Sequence, residues 1–390
     1  MLEYVLSILA GVVIGAFAGL IPGVHPNLFA TLFLTFTFAD PFGAAVILVA
    51  ASVTNSFVSF IPSIFLGAPE GGNELSVLPG HRLLFEGRGY EAVRLTVMGG
   101  VVVVVLALVT LPLVAVVLPV LYDAVRPHLH WVLASVLLYA FWKDRSLWPV
   151  VVVGLSGALG LLVLDSLDDP LFPMLTGLFG TSGLLYSMRS SARVPPQTLL
   201  TEKQERRSSA AGGLAGYAAG ALVGVLPGVG ASQAAFLVQQ AEDSDARKFL
   251  IAVGGVTTAD AIFSLLALWL IGNPRSGVAV SVSELLGEIG IGEVVALLGV
   301  MCVSAGLAAI ATLKISGLVV NKIGGVDYKR LNLFVTAGLA ALVGLLAGID
   351  GLFVMSISTC IGLVAIASGT RRSYCMGCLL VPTILFFAGV

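Results

Sequence analysis

The sequence predicts an all-α polytopic membrane protein built from two inverted-topology repeats, each with a broken helical hairpin and about five transmembrane helices. Three observations lead to this fold class: an apolar composition, a series of membrane-length apolar segments, and a duplicated Pro-Gly motif. Hydrophobic residues make up 58% of the 390 residues and charged residues 11%, whereas a soluble domain has about 45–50% and about 25%. This composition excludes an ordinary cytosolic enzyme. The balance of 20 Lys and Arg against 22 Asp and Glu also excludes a basic nucleic-acid-binding surface.

Apolar segments of membrane length follow one another along the chain. A helix needs about 20 residues to cross the hydrocarbon layer. Such segments lie at 4–21, 45–66, 95–121, 129–142, 147–164, 170–188, 210–226, 249–272, 291–316, 331–348, 351–369 and 373–389. Two shorter apolar stretches, 27–38 and 231–241, follow Pro-Gly breaks and complete the two hairpins. A long polar segment divides the chain, so we predict a first membrane repeat at 1–188, a cytoplasmic linker at 189–209 and a second membrane repeat at 210–390.

The two halves contain copies of one motif. LAGVVIGAFAGLIPGV at 9–24 and LAGYAAGALVGVLPGV at 214–229 are identical at nine of sixteen positions. The same offset of 205 residues pairs the Gly-Ala-Pro segment that ends at Pro69 with the Gly-Asn-Pro segment that ends at Pro274. Between these points, a two-residue adjustment pairs Val-Thr-Asn55 with Val-Thr-Thr258. The copies indicate an internal duplication.

Basic residues in the loops predict that the copies are inverted. Cytoplasmic loops are enriched in Lys and Arg. Loop 39–44 has no basic residue, whereas its counterpart in the second half has Arg247 and Lys248. Loop 67–94 has three basic residues, whereas the counterpart has only Arg275. Since rich loops pair with poor ones throughout, we expect opposite orientations in the cell membrane, with the basic linker inside and the N-terminus outside.

The Pro-Gly breaks are the strongest candidates for a substrate site. Proline removes a backbone donor and glycine permits unusual dihedral angles, so each helix is expected to break there. The half-helix that follows a break presents unpaired N–H groups, which favour an anion. The candidate substrate-binding residues at the two breaks are Pro22, Gly23, His25, Asn27, Pro227, Gly228, Ser232 and Gln233. The alternative interpretation is that the breaks only shape tight helix packing.

A second group of polar residues interrupts the apolar helices that follow. Asp260 is the most informative residue, because an ionisable group inside a membrane span is costly and usually faces a cavity or a partner. We expect Asp260, with Thr54 and Thr257, to bind the coupling ion, either H⁺ or Na⁺. The alternative is that Asp260 lies close enough to a helix end to be solvated. The remaining candidate substrate-binding residues of this region are Asn55, Thr258, Pro69, Pro274 and Arg275.

No catalytic or metal motif is present in the sequence. There is no nucleophile elbow, Walker loop or His-Glu-x-x-His motif. Cys375 and Cys378 have C-x-x-C spacing, but no second pair or His cluster accompanies them. We therefore expect a non-enzymatic protein that has no metal and no cofactor apart from the coupling ion.

The chain resembles the TctA family, the large membrane subunits of tripartite tricarboxylate transporters. The resemblance lies in the paired G-x-x-x-G-x-x-P-G motifs, FLGAPEGGNELSVLPGHRLLFEGRGYEAVRLTVMGG at 65–100, LTGLFGTSGLL at 175–185 and GTRRSYCMGCLLVPTILFF at 369–387. It implies secondary transport of organic anions such as carboxylates, with a small membrane subunit and an extracytoplasmic binding protein. The chain is most similar to compact archaeal members of the family.

Three functions are compatible with these observations. The first is a secondary active transporter of a small organic anion that works by alternating access, with the anion held between the two Pro-Gly breaks. The second is a transporter or flippase of a lipid-linked phosphate such as polyprenyl phosphate, because such transporters also have duplicated Pro-Gly segments. The third is a non-transporting scaffold or receptor, which predicts no midplane cavity. A homodimer is compatible with each of them.

Overall fold

The computed structural model describes residues 2–21, 26, 30, 33, 38–68, 73–164, 166–167, 170–188, 194–199, 206–225, 230–241, 245–272, 274–323 and 328–389. Regular structure within these ranges is entirely helical. The helices are α1 (Leu2–Leu20), α2 (Pro41–Val58), α3 (Phe60–Leu66), α4 (Val77–Phe85), α5 (Gly89–Val125), α6 (Leu129–Asp144), α7 (Trp148–Val163), α8 (Leu171–Leu175), α9 (Ser182–Ser187), α10 (Arg206–Val225), α11 (Ala231–Ala241), α12 (Ala246–Ile271), α13 (Gly277–Leu286), α14 (Ile291–Ile323), α15 (Tyr328–Ala367) and α16 (Gly377–Ala388). A π-helical turn, Thr176–Thr181, joins α8 to α9, and a 3₁₀ turn, Arg372–Met376, precedes α16.

Within the described residues, six helical segments are long and apolar enough to cross a membrane. They are Leu2–Leu20, Pro41–Leu66, Gly89–Val125, Ala246–Ile271, Ile291–Ile323 and Lys329–Ala367. The prediction of an all-α polytopic membrane protein is confirmed. The predicted boundary between the spans 331–348 and 351–369 coincides with Gly348, whose backbone is non-helical inside α15 (φ 64°, ψ −158°).

Two segments form the centre of the molecule. The most apolar windows of Pro41–Leu66 and Ala246–Ile271 are both 89% buried, against 22% for that of Leu2–Leu20. α2 packs against α1 and α14, and α12 packs against α10 and α5. Each central helix therefore contacts the first helix of its own half and the long helix of the other half.

The helices repeat at the spacing that the motif predicts. Pro41–Leu66 and Ala246–Ile271 differ by 205 residues at both ends, 41 to 246 and 66 to 271. The two-residue adjustment that pairs Asn55 with Thr258 is therefore wrong. A constant offset pairs Asn55 with Asp260 instead. The local Val-Thr similarity arises from composition, whereas the helix ends fix the register.

The glycines of the duplicated motif lie at close helix–helix contacts. A Cβ atom on Gly15 of α1 would collide with the carbonyl oxygen of Ala51 in α2. A Cβ atom on the equivalent Gly220 of α10 would collide with the Ala259 side chain in α12. The small residues thus let each first helix pack directly on its central helix.

The described part of the linker, residues 194–199, packs against the first repeat. The Gln197 side chain accepts a hydrogen bond from the Gly89 backbone N–H (2.9 Å) and donates one to the Leu84 carbonyl (2.9 Å). α10 begins at Arg206, four positions before the predicted start of the second repeat at 210.

Candidate functional site

A cavity of about 50 Å³ lies between the two central helices. We call it the Asp260 cavity. Its walls come from α2, α12, the first turns of α11 and α13, and Pro26, which follows the first Pro-Gly motif in the sequence. The lining residues are Pro26, Ser52, Asn55, Ser56, Ser59, Ala231, Thr257, Asp260, Ala261, Ser276 and Val278. Most of the polar lining consists of hydroxyl and amide groups, with one carboxylate.

The lining is paired between the two halves. At the constant offset of 205, Ser52 corresponds to Thr257, Asn55 to Asp260, Ser56 to Ala261, and Pro26 to Ala231. All eight residues line the cavity. The two halves therefore contribute equivalent positions to one site, and the main chemical difference between them is an amide at Asn55 and a carboxylate at Asp260.

Asp260 lies in the middle of α12, eleven residues before its end at Ile271. This position does not fit the alternative in which Asp260 is solvated at a helix end. Within the described ranges, the carboxylate has neither a hydrogen-bond donor nor a cationic partner. A partly buried carboxylate without such partners is costly in its charged form, and that cost favours binding of a proton or a cation.

Several hydroxyl groups line the cavity together with this carboxylate. Thr257 donates to the Gly254 carbonyl (3.1 Å), one turn back in α12, and thereby keeps an oxygen lone pair available to the cavity. Ser276 is the N-cap of α13, where its Oγ accepts from the Ala279 N–H (3.2 Å). Oxygen donors of this kind are the ligands that hard cations prefer.

Several predicted residues lie close to the cavity without lining it. Thr54 donates to the Ala50 carbonyl (2.8 Å) and is fully buried. Thr258 donates to the Gly254 carbonyl (3.1 Å) and lies against Gly100 of α5. Neither side chain lines the cavity with Asp260.

Ser232 and Gln233, both predicted to bind the substrate, lie in the first turn of α11 and form hydrogen bonds within the chain. The Gln233 side chain accepts from the Gly230 backbone N–H (2.9 Å), which caps the helix. Ser232 donates to the Glu74 carboxylate (2.9 Å), and both residues are buried. This bond joins the second half-helix to the first repeat.

The predicted breaks at the ends of the central segments are present. Gly67 (φ 65°, ψ 25°) and Gly272 (φ 61°, ψ 20°) both adopt the left-handed conformation and end their helices, as C-terminal glycines commonly do. Pro274 follows the second break and does not line the cavity. Arg275 stacks its guanidinium over the Tyr122 ring, 5.2 Å from the centroid, and also lies outside the cavity.

The remaining predicted residues lie outside the described residues. They are Pro22, Gly23, His25, Asn27, Pro69, Pro227 and Gly228. Sequence reasoning missed Ser52 and Ser276. A constant 205-residue offset would have found Ser52, because it pairs with Thr257. Across the described ranges, no cluster of three or more His, Cys, Asp or Glu residues is arranged to hold a metal ion.

These features define a polytopic membrane protein with a duplicated helical core and a polar cavity between its halves, the class to which secondary transporters belong. The model of the tripartite tricarboxylate transporter TctA family matches residues 5–377, and the chain belongs to this family. An uncharacterized protein of Methanocaldococcus jannaschii is 30% identical over 357 residues, which is 87% of this chain and 87% of that protein. No solved structure matches the chain. The protein is thus a multi-pass membrane protein of a transporter family.

Proposed function

We propose that the protein is a secondary active transporter of a small organic anion of the carboxylate class, driven by H⁺ or Na⁺ that binds at Asp260. The observation that carries the proposal is the Asp260 cavity, in which an isolated carboxylate faces the equivalent residue Asn55 between two buried helices. Membership of a tricarboxylate transporter family supports the substrate class.

The size of the cavity supports a cation rather than the organic anion at this position. A cavity needs about 10–15 Å³ to hold one water molecule, so about 50 Å³ accommodates a proton carrier, or a cation with a few oxygen ligands. Pockets for organic ligands are larger, about 300–1,000 Å³. We therefore propose that the substrate anion binds beside this cavity, near the two Pro-Gly motifs.

Alternating access follows from this placement. Binding of a cation at Asp260 removes the cost of the isolated carboxylate and adds positive charge next to the anion. A loaded site is then nearly neutral and can be exposed to either side by movement of the two halves. Because one half supplies Asn55 and the other Asp260, such movement changes the surroundings of the carboxylate.

The family description also motivates a proposal about partners. The chain would be the large membrane subunit of a tripartite system, working with a small membrane subunit and an extracytoplasmic binding protein. Co-expression with the products of neighbouring genes, followed by purification on a tag carried by this chain, tests the assembly. Purification of this chain alone, with full uptake in liposomes, would contradict it.

Ligand binding by the purified chain tests the proposed function, because binding does not require accessory subunits. Thermal unfolding in detergent is measured with citrate, succinate, inorganic phosphate or polyprenyl phosphate, with and without Na⁺ and between pH 5.5 and 8. We expect stabilisation by a carboxylate that increases with Na⁺ or with proton concentration.

Two variants make the result specific. Asp260→Asn is expected to abolish the dependence on Na⁺ or pH, whereas Glu288→Gln, which changes an exposed carboxylate, is expected to keep it. If polyprenyl phosphate alone stabilises the protein, the substrate is a lipid-linked phosphate rather than a carboxylate. The absence of stabilisation by every carboxylate, or an unchanged ion dependence in the Asp260→Asn protein, would contradict the proposal.

A further inference from the structure

A second and larger cavity lies away from the Asp260 cavity, beside the 3₁₀ turn that precedes α16. It consists of a lobe of about 240 Å³ and an adjoining lobe of about 110 Å³, and Leu78 and Arg372 line both lobes. We call it the Arg372 cavity. None of the described residues that line it also lines the Asp260 cavity. The Ser232–Glu74 hydrogen bond lies between the two cavities, because Ala231 lines one and Glu74 lines the other.

Arg372 is the cation at the centre of this cavity. Its Nη2 donates to the carbonyls of Leu178 and Phe179 in the π-helical turn and to Ser182 Oγ, and its guanidinium lies over the Phe179 ring, 5.7 Å from the centroid. These contacts fix the side chain without neutralising it. In the described part of the chain, no carboxylate lies within 4.0 Å of Arg372.

Among the described residues that line the larger lobe, none is acidic. Besides Arg372, the ionisable residues in this set are His81 and Tyr186. α4, which carries His81, lies between the membrane spans Pro41–Leu66 and Gly89–Val125. Burial, and to a smaller extent the charge of Arg372, lower the pKa of His81 from 6.5 to about 4, so the imidazole is neutral at neutral pH. The rest of this lobe is mainly apolar and includes Val77, Leu184 and Ile366.

Three buried polar atoms in this region lack a hydrogen-bond partner among the described residues. Ser373, which is 1% exposed and lines the smaller lobe, has no hydrogen-bond partner for its Oγ among the described residues. The same holds for Arg372 Nε and for Gln239 Oε1. Buried polar groups nearly always have partners. Three such atoms around one cavity therefore point to a ligand or ordered water between them.

Arg371 and Glu74 complete the charge distribution of the smaller lobe. Arg371 forms an ion pair with Asp144 (3.4 Å), and Glu74 accepts from Ser232. The ion pair neutralises Arg371, whereas the Glu74 carboxylate keeps its charge. Arg372 has no ion-pair partner among the described residues, and its planar N–H groups suit a carboxylate or a phosphate.

We propose that the Arg372 cavity is a binding site, separate from the Asp260 cavity, for an amphiphilic anion whose carboxylate or phosphate group contacts Arg372 and Ser373 and whose apolar part occupies the larger lobe. A soluble carboxylate with a short alkyl chain and the headgroup region of an anionic lipid share this chemistry. Leu78, which is 60% exposed, forms the rim that both ligands would pass.

The test uses hexanoate and its neutral isostere hexanamide with the purified full-length chain in phosphatidylcholine nanodiscs. Isothermal titration calorimetry is expected to show saturable binding of hexanoate and at least tenfold weaker binding of hexanamide. Leu78→Trp, which fills the rim without removing a hydrogen bond, is expected to weaken hexanoate binding at least tenfold. Phe85→Trp changes another partly exposed residue of α4 outside the cavity and is expected to bind hexanoate as the wild type does.

A second arm identifies a lipid ligand. The wild-type chain and the Leu78→Trp variant are reconstituted with phosphatidylglycerol, and retained lipid is measured by native mass spectrometry. Retention by the wild type and its loss in the variant assign the site to the lipid, even without hexanoate binding. The proposal is overturned if neither hexanoate nor phosphatidylglycerol binds. It is also overturned if hexanamide binds equally well, or if binding survives in the Leu78→Trp variant. Asp260→Asn is expected to leave this binding unchanged, which separates the result from that of the proposed transport site.

Discussion

Asn55 and Asp260 line one cavity from equivalent positions of the two buried central segments, Pro41–Leu66 and Ala246–Ile271. The two halves of the molecule thus offer an amide and a carboxylate to the same small space. An isolated carboxylate is costly in its charged form, whereas an amide at the equivalent position can donate to it or share a bound cation. This chemical difference between two equivalent positions is the basis of the first prediction.

Moving the carboxylate across the cavity tests whether its location or its identity matters. We expect Asp260→Asn to reduce ion-driven substrate uptake at least tenfold in proteoliposomes that also contain the proposed accessory subunits, because the cation loses the one charged ligand among the described lining residues. The double variant Asn55→Asp with Asp260→Asn places the carboxylate on α2 and is expected to restore a measurable part of the ion dependence. Radiolabelled citrate uptake under a Na⁺ or pH gradient measures both. Equal ion-driven uptake in the wild type and the Asp260→Asn variant would remove Asp260 from coupling.

Helix packing supplies a second prediction. Gly220→Ala is expected to destabilise the protein by about 1–3 kcal/mol, the usual cost of overpacking, because the added Cβ would collide with Ala259. Gly306→Ala in α14 is the control, since no atom lies within 4 Å of its added Cβ. Thermal unfolding in detergent is expected to show a lower melting temperature for the first variant only. Equal melting temperatures would mean that α10 and α12 can move apart at Gly220 at little cost in folding free energy.

Much of this fold could be predicted from the sequence because hydropathy alone identifies helices that are long and apolar enough to cross a membrane. The break at Gly348 and the left-handed ends at Gly67 and Gly272 also follow from local sequence. The alignment register between the two central helices could not be predicted, because Val-Thr pairs occur in both of them by composition. The two-residue slip that resulted concealed the equivalence of Asn55 and Asp260.

The Arg372 cavity was beyond sequence reasoning for a different reason. Its residues come from α4, the π-helical turn and the turn before α16, which are far apart in the chain. Neither Arg372 nor His81 stands in a motif of known chemistry. Only tertiary packing brings the guanidinium beside an apolar lobe, and hydropathy contains no information about that contact.

The orientation of the two repeats is a third prediction, and one ion pair supports it. Arg247 at the start of α12 lies 3.4 Å from Glu91 at the start of α5. α2 and α3 cross the molecule before α5 begins, so the end of α3 and the start of α5 lie at the same end of the molecule. The ion pair therefore places the start of α12 at that end as well. Inverted repeats are expected to have this arrangement. The distribution of basic residues in the loops separately predicts that the N-terminus lies outside.

Cysteine labelling tests this topology. In a Cys360→Ser background, Ala39→Cys and Glu288→Cys are expected to react with a membrane-impermeant maleimide in intact cells, whereas Glu86→Cys is expected to react only after permeabilisation. All three positions are exposed, so accessibility depends on the side of the membrane. Labelling of the Ala39→Cys variant without labelling of the Glu288→Cys variant would instead indicate parallel repeats.

The pH dependence of stability is the last prediction, and it follows from His81. Burial lowers the pKa of His81 to about 4 in the folded protein, whereas an unfolded chain has about 6.5. Between these values the unfolded state binds more protons, so folding stability falls as the pH decreases from 6.5 towards 4 and is fully present above 6.5. We expect the melting temperature to fall across this window more steeply in the wild type than in His81→Gln. The carboxylates titrate equally in both proteins. Identical slopes would therefore show that His81 is protonated without cost in the folded state.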